Sequence, residues 1–147
     1  MFAKSPPALS NRIMIVDDDE DDIYLMDRAI CRLEESGDFN IDLKLVLSGS
    51  EAVGEIDRGL VGHILPDKIF LDLNMPGVSG FDVLRHCKEH EILDKVAVVV
   101  ITTASDQETH QAALDCGATC VRVKPHSFQE LSDLFADLLD IKQCPAT

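Results

Sequence analysis

The chain has 147 residues, of which 46% are hydrophobic and 27% charged, and this composition suits one globular domain. Its 27 acidic and 13 basic residues give a formal net charge of -14, which disfavours direct binding to a nucleic-acid backbone. The longest uninterrupted apolar run, residues 96–101, is six residues long, whereas a membrane-spanning helix needs roughly 20.

The amino-terminal segment and the cysteines indicate a cytoplasmic protein. Residues 1–10 hold one Lys and no apolar stretch of the kind that a secretory signal requires, so we expect no export. Five scattered cysteines without Cys-x-x-Cys spacing predict neither a disulfide framework nor a zinc knuckle. They are Cys31, Cys87, Cys116, Cys120 and Cys144, and we expect Cys116 and Cys120 to be buried thiols. The histidines share no evident metal-site spacing, and we expect surface positions for His63, His86, His90, His110 and His126.

Five short apolar runs recur along the chain, and each is followed by turn residues and a segment with helical spacing. This is the pattern of βα units around a parallel sheet. The predicted strands are residues 12–17, 42–48, 68–72, 96–101 and 119–123. The third and fourth are nearly all apolar, as central strands are, whereas the second carries Lys44 between leucines and suits a sheet edge.

Helices are predicted from apolar spacing and from capping patterns. Apolar residues recur at three- and four-residue steps in 23–33 and 128–138, which predicts the first and last helices. Ser-x-x-acid patterns that begin at Ser79, Ser105 and Ser127 mark three helix starts. A second helix is predicted at 50–58, interrupted by Gly54. We expect a folded core at residues 11–142, with loose ends at 1–11 and 143–147.

Acidic side chains follow two of the predicted strands. Residues 17–22 are six acids without a base, and Asp72 follows the third strand. If these strands are neighbours, Asp17, Asp18 and Asp72 converge and repel by roughly 4 kcal/mol per close pair at an effective dielectric near 20. They therefore need protons or a cation, and an oxygen-only site suits Mg²⁺ or Mn²⁺. The other acids of the run fit a solvated helix start.

The fourth and fifth strands bring a hydroxyl and an ammonium to the same edge. Thr102 and Thr103 follow the fourth strand, and Lys124 follows the fifth. A metal ion with a Lys can neutralise a phosphoryl group that arrives on a carboxylate, and a Thr hydroxyl can hydrogen-bond one of its oxygens. An Asp acceptor gives a labile acyl phosphate, which suits a reversible signal.

With these residues in place, the chain resembles a receiver domain of a two-component response regulator. The motifs that carry the resemblance are Ile15-Val16-Asp17-Asp18, Leu71-Asp72-Leu73-Asn74-Met75-Pro76-Gly77 with Gly80, Ile101-Thr102 and Val123-Lys124-Pro125. The resemblance implies an α/β, flavodoxin-like, doubly wound fold with a five-stranded parallel sheet in the order 2-1-3-4-5 and five helices. It also implies that residues 1–147 form a single receiver domain.

The resemblance further implies roles for individual residues. Asp72 would accept a phosphoryl group from a sensor histidine kinase, and Thr102 and Lys124 would contact its oxygens. The implied metal ligands are Asp17, acting largely through water, Asp18, Asp72 and the backbone carbonyl of Asn74. The Lys124–Pro125 peptide bond would be cis.

A narrower resemblance is to stand-alone regulators that pair with bacterial phytochromes, and it rests on residues 17–23, 71–77 and the Thr102-Thr103 pair. It implies a homodimer with no covalent effector domain, whose output surface is the fourth helix, fifth strand and fifth helix. Such a protein is not an enzyme beyond its own phosphorylation and dephosphorylation. Two departures stand out: Val121 replaces the aromatic residue that many receivers use as a switch, and small Ala104 leaves water access to the phosphate.

Other functions remain open from the sequence. A phosphorelay intermediate would pass its phosphate to a histidine phosphotransfer protein. A metal-dependent phosphohydrolase with Asp72 as nucleophile would need a substrate cap and a general acid where Asn74 stands. A flavodoxin-like carrier of a flavin phosphate would need a Ser/Thr/Gly cradle where this chain has acids. A degenerate receiver that acts as a docking module is disfavoured by the intact site residues.

Overall fold

A computed structural model describes residues 10–37 and 40–140, and in these residues five strands alternate with five helices. The strands are β1 (Ser10–Val16), β2 (Asn40–Val46), β3 (Lys68–Leu71), β4 (Ala97–Thr102) and β5 (Cys120–Val123). The helices are α1 (Glu20–Glu35), α2 (Gly49–Gly62), α3 (Gly80–Glu89), α4 (Gln107–Asp115) and α5 (Phe128–Asp140). None of these described helices combines the length and the apolar character needed to cross a bilayer.

The strands form one parallel sheet in the order β2-β1-β3-β4-β5, which confirms the predicted topology. β2 lies at the edge, where Lys44 is exposed. β3 is buried along its whole length. The chain reverses its direction of winding between β1 and β3, and in such sheets ligands bind outside the carboxyl ends of the strands at that point.

Helices cover both faces of the sheet, and each face has its own apolar core. β3 shows the division, because Ile69 and Leu71 belong to the core under α2 and α3, whereas Phe70 belongs to the core under α1 and α5. The ring of Phe70 packs against that of Phe135 with 5.0 Å between the ring centroids. This alternation follows from the two-residue period of a strand.

Two of the three predicted helix starts are confirmed. Ser79 and Asp82 form a capping box at α3, and the Ser127 hydroxyl accepts from the backbone N–H of Glu130 at 3.1 Å. The prediction that Ser105 begins α4 was wrong by one residue. Asp106 is the cap, because its carboxylate accepts from both the backbone N–H and the hydroxyl of Thr109, at 2.9 and 2.6 Å, and a charged acceptor also interacts favourably with the helix dipole.

Some predicted boundaries differ from the structure. α2 continues to Gly62 rather than ending at Arg58, and Gly54 does not interrupt it. The buried residues Ala52, Ile56 and Gly59 recur at helical spacing along α2 and anchor it to the core. Residues 10 and 11 belong to β1, so the prediction that the amino-terminal loose end extends to residue 11 was wrong. The remaining expected ends, 1–9 and 143–147, and the core limit at 142 lie outside the described residues.

The cysteines are only partly as predicted. Cys31, Cys87 and Cys116 are free thiols, but Cys116 is half-buried rather than buried as predicted. Cys120 is buried as expected but is disulfide-bonded, so the prediction of a thiol at this residue was wrong. Spacing along a sequence does not limit which cysteines a fold brings together.

The connection between β3 and α3 requires a glycine at position 80 because there is no room for a Cβ atom, not because of its backbone angles. Gly80 begins α3, and its backbone N–H donates to the carbonyl of Leu73 at 3.0 Å. A Cβ at this position would lie 2.3 Å from the carbonyl oxygen of Asp72 and 2.6 Å from Cα of Leu73. Only glycine therefore lets α3 approach the end of β3 this closely.

Substitution Gly80→Ala should lower the free energy of unfolding by about 1–3 kcal/mol, because backbone atoms must move to admit the methyl group. Gly54→Ala is a matched control, since its Cβ would meet nothing nearer than the Arg58 guanidinium at 3.6 Å. That control should be neutral or stabilise by up to ~1 kcal/mol. Urea unfolding followed by circular dichroism measures both, and equal stability of the two variants would contradict the close approach.

Candidate functional site

Two acidic residues lie side by side where β1 and β3 end. Val16 pairs with Leu71 in the sheet, so the following residues, Asp17 and Asp72, emerge next to each other. The backbone N–H of Asp72 continues the pairing by donating to the carbonyl of Val16 at 3.0 Å. Carboxylate oxygens of Asp17, Asp18 and Asp72 all lie within 4.8 Å of one another, which confirms the predicted convergence.

The three carboxylates differ in exposure. Asp17 is 1% exposed and Asp72 is 8% exposed, whereas Asp18 lies in contact with solvent. Oδ1 of Asp17 accepts from the backbone N–H of Asp19 at 2.9 Å. Oδ1 of Asp72 accepts a longer bond, 3.4 Å, from the backbone N–H of Asn74. The site is thus a buried pair of carboxylates with a third at its solvent edge.

The ammonium group of Lys124 enters this site from the end of β5. Its Nζ donates to Oδ2 of Asp17 at 2.9 Å and to Oδ2 of Asp22 at 2.8 Å. The backbone N–H of Lys124 donates to the carbonyl of Thr102 at 2.7 Å, which fixes the start of the side chain beside β4. Burial by itself lowers the pKa of Lys124, but the hydrogen bonds to Asp22 and Asp17 outweigh it and leave the pKa raised. Lys124 therefore stays charged.

Asp22 is the residue that the sequence reasoning missed. The acids at 19–22 were expected to form a solvated helix start, and Asp19 does cap α1 by accepting from the backbone N–H groups of Asp21 and Asp22. The Asp22 carboxylate, however, turns toward Lys124, which is 102 residues away in the chain. The sequence does contain a signal for this pairing, because Lys124 is a single positive charge at an edge of the sheet where acidic residues are in excess.

Burial makes the ionised forms of the two inner carboxylates costly. Desolvation raises the pKa of Asp72 to about 6, although the charge of Lys124 opposes the shift. Burial also raises the pKa of Asp17, against the hydrogen bond from Lys124. The sequence predicts that these carboxylates need protons or a cation, and the structure supplies one cation, Lys124, and a carboxyl group that holds its proton more tightly than usual.

The Thr102 side chain is fully buried at the end of β4. Its Oγ1 accepts from the backbone N–H of Ala104 at 3.2 Å. The hydroxyl proton is not used in that bond and remains available for donation. Val121 pairs with Val100 in the sheet and is buried in the apolar core, so this position holds a small aliphatic side chain and no aromatic ring that could switch between two orientations.

The expectation of a cis Lys124–Pro125 peptide was wrong, because the described residues contain no cis peptide bond. The backbone bond from Lys124 to Thr102 and the two bonds from Nζ hold this side chain in the site with a trans peptide.

The donor set fits a hard divalent cation. Every group that faces the site from Asp17, Asp18 and Asp72 is a carboxylate oxygen, and the three residues offer these oxygens within 4.8 Å. Mg²⁺ and Mn²⁺ prefer oxygen ligands and retain waters, which the exposed Asp18 edge can accommodate. Burial is the main cause of the raised pKa of Asp72, and a cation would offset the smaller contribution from repulsion by Asp17 and Asp18.

A family model for the response regulator receiver domain matches residues 13–136. The chain belongs to this family. The family consists of signalling modules of two-component systems, and membership indicates phosphoryl acceptance rather than turnover of a metabolite.

Curated relatives support the same family. The chain is 30% identical over 122 residues to the probable methanogenesis regulatory protein FilR2 of Methanothrix harundinacea, with 81% of this chain and 75% of the relative covered. It is 27% identical to Stress response regulator protein 1 of Candida tropicalis, with 86% of this chain but 45% of the relative covered. The chain spans less than half the length of the first curated relatives that it matches.

Solved structures show the same fold. The phosphorylated cyanobacterial phytochrome response regulator RcpA superposes with a TM-score of 0.77 at 24% identity, covering 94% of this chain and 97% of that one. The Mn²⁺-bound form of response regulator Rcp1 superposes with a TM-score of 0.74 at 22% identity, covering 93% and 97% of the two chains. The sheet order and helix arrangement are therefore those of receiver domains.

Asp72→Asn should stabilise the metal-free protein at neutral pH. The pKa of Asp72 is about 6 in the folded state and ordinarily 3.8, so between these values the unfolded chain binds fewer protons and wild-type stability falls as pH rises. One pKa unit corresponds to ~1.4 kcal/mol. After a discount for solvent screening we expect a gain of about 1–2 kcal/mol in unfolding free energy at pH 7.5, shrinking toward zero near pH 4.

Urea unfolding with EDTA across this pH range measures the effect. Asp94→Asn removes an exposed carboxylate in the turn before β4 and is the matched charge control. It should change stability by less than ~0.5 kcal/mol at every pH. A gain for Asp72→Asn that does not depend on pH would contradict the burial of an ionised carboxylate.

Proposed function

We propose that this chain acts as a stand-alone response regulator, in which Asp72 accepts a phosphoryl group from a sensor histidine kinase in a reaction that requires Mg²⁺ or Mn²⁺. The observation that carries the proposal is the position of Asp72, which is buried at the end of β3 beside two further carboxylates and a charged Lys124. Asp17 is also buried here, but its carboxylate is already bonded to Lys124 at 2.9 Å, whereas Asp72 has no ion pair among the described residues and so is open to a phosphoryl group.

The residues act on the phosphoryl group in distinct ways. The pKa of Asp72 is about 6, so at higher pH its carboxylate is ionised. It can then attack phosphorus as a nucleophile while the kinase imidazole leaves. Lys124 can exchange one of its two carboxylate partners for a phosphoryl oxygen and keep its charge paired. Thr102 can donate its hydroxyl proton to another oxygen.

A divalent ion held by Asp17, Asp18, Asp72 and the backbone carbonyl of Asn74 would neutralise charge on the transferred group. The oxygen-only donor set supports this assignment. The solved form of Rcp1 with Mn²⁺ supports the same class of ion for this chain. Asn74 is an amide where a phosphohydrolase would need a general acid, so we propose no turnover of phosphate esters.

The partners follow from the family and its solved members. A two-component receiver takes its phosphate from a kinase. The similarity to the phytochrome response regulator RcpA supports a sensor kinase of the phytochrome type as the partner of this chain. We propose output through a protein surface formed by α4, β5 and α5. Leu114 of α4 and Val123 of β5 are apolar side chains exposed on these elements.

Beryllofluoride, a phosphoryl analogue, should bind the wild-type protein with Mg²⁺ present and fail to bind with EDTA. Asp72→Asn should abolish binding, because the analogue needs this carboxylate. Lys124→Ala should weaken it by about tenfold or more, since a charge-assisted hydrogen bond contributes roughly 1.5–3 kcal/mol. Titration calorimetry measures affinity, and intact mass after incubation with acetyl phosphate tests the covalent step.

Asp94→Asn is the control for a changed net charge and should bind the analogue as the wild type does. Binding to Asp72→Asn with wild-type affinity would refute the acceptor assignment. Steady release of phosphate from p-nitrophenyl phosphate would instead favour the phosphohydrolase.

We also expect the analogue to shift a monomer–dimer equilibrium, because the exposed apolar residues of α4 and β5 offer a surface that a second copy can cover. Sedimentation velocity with and without beryllofluoride measures the shift. Leu114→Ser should reduce the dimer fraction, whereas Val61→Ser, at an exposed apolar residue of α2, should leave it unchanged. Identical sedimentation of the wild type with and without the analogue would contradict this expectation.

A further inference from the structure

A second group of potential metal ligands lies between α2 and α3. His86 lies in the last turn of α3, His90 caps the end of this helix four residues later, and Asp57 reaches them from α2. Their ligand atoms lie within 4.8 Å of one another. The amino terminus of α3 touches Asp72, whereas His90 caps the other end of a 10-residue helix, so this group is roughly 15 Å along α3 from the carboxylate site.

Hydrogen bonds already orient the two imidazoles. Nδ1 of His90 lies 2.9 Å from the carbonyl oxygen of His86. A carbonyl only accepts, so Nδ1 carries the proton and the neutral ring keeps a free lone pair on Nε2. Such a bond to the second ring nitrogen is the usual support of a metal-binding histidine. Nε2 of His86 lies 2.7 Å from Oδ1 of Asp57.

The backbone under this group is firmly held. Ile56 precedes Asp57 on α2 and Cys87 follows His86 on α3, and both Ile56 and Cys87 are fully buried in the same core. The side chains above them remain accessible, because Asp57 is 52% exposed, His86 is 19% exposed and His90 faces solvent. An ion can reach the group without unfolding either helix.

We propose that Asp57, His86 and His90 bind a borderline divalent transition-metal ion of the Zn²⁺ class. Two imidazole nitrogens and one carboxylate oxygen are ligands that Zn²⁺ accepts and that Mg²⁺ does not favour. Ligands of one tetrahedral Zn²⁺ lie roughly 3.3 Å apart, given metal–ligand bonds of about 2.0 Å. A small rotation of the exposed Asp57 opens its contact with His86 to that spacing. The proton that His86 Nε2 donates to Asp57 moves to Nδ1 or is released to solvent as the ion binds, and water completes the coordination.

Zinc titration of the metal-free full chain tests the proposal. Calorimetry is run with ZnCl₂ in a buffer that contains excess Mg²⁺, so that Mg²⁺ occupies the carboxylate site and competes there with Zn²⁺. We expect one Zn²⁺ per wild-type chain. His90→Gln and His86→Gln should each weaken binding by more than about tenfold, since even residues that only support metal ligands contribute roughly 10- to 100-fold.

Two controls separate this site from the rest of the molecule. His63→Asn removes an exposed histidine that caps α2 with φ of 57°, a conformation that Asn tolerates, and should bind Zn²⁺ as the wild type does. Asp72→Asn should also bind normally, because the proposal does not depend on phosphoryl acceptance. The absorption spectrum of the Co²⁺ form reports the geometry, and a tetrahedral spectrum is expected for the wild type.

The exposed position of His90 makes His90→Gln the decisive variant, because its folding is not at risk and circular dichroism verifies it. Wild-type affinity in both His90→Gln and His86→Gln would overturn the proposal. So would the absence of Zn²⁺ binding to the wild type at about 100 μM, a concentration far above the dissociation constants expected for zinc sites.

Discussion

The site depends on one electrostatic arrangement, two carboxylates that the sheet forces together and one ammonium that pairs with only one of them. Parallel pairing of β1 with β3 brings Asp17 and Asp72 out at adjacent positions. Lys124 bonds to Asp17 and to Asp22 but makes no hydrogen bond to Asp72. Asp72 is buried and has no cation bonded to it, so its pKa is raised and its ionised form would be stabilised by a positive charge.

The surrounding fold has to hold this arrangement against its own repulsion. Two apolar cores clamp the sheet from both faces, and the tight approach of Gly80 to Asp72 fixes where β3 ends. A cation or a phosphoryl group with its cation relieves the repulsion only in the folded state, so its binding adds to stability. The same crowding that costs stability in the metal-free protein thus supplies the driving force for ligand binding, a trade-off common at functional sites.

The sequence predicts those parts of the structure that local patterns encode. Apolar runs predicted β3 and β4, and Lys44 between leucines indicated that β2 is an edge strand. The strand order that places Asp17 beside Asp72 was implied by the resemblance to receiver domains rather than by local patterns. Contacts between distant residues were not accessible in this way. The bond from Lys124 to Asp22 requires knowledge of where the start of α1 lies relative to the residue that follows β5, and the disulfide at Cys120 likewise depends on the three-dimensional fold.

The two clusters of ligands differ in chemistry as well as in place. Oxygen donors at the carboxyl edge of the sheet favour a hard ion that keeps its waters, whereas imidazoles on α3 favour a softer one. The spacing of the histidines alone does not indicate a metal site, because His86 and His90 lack a third ligand until the packing of α2 against α3 brings Asp57 to them. Both groups contain carboxylate oxygens, but only the group between α2 and α3 adds imidazole nitrogens, and Mg²⁺ competes poorly for a site that depends on them.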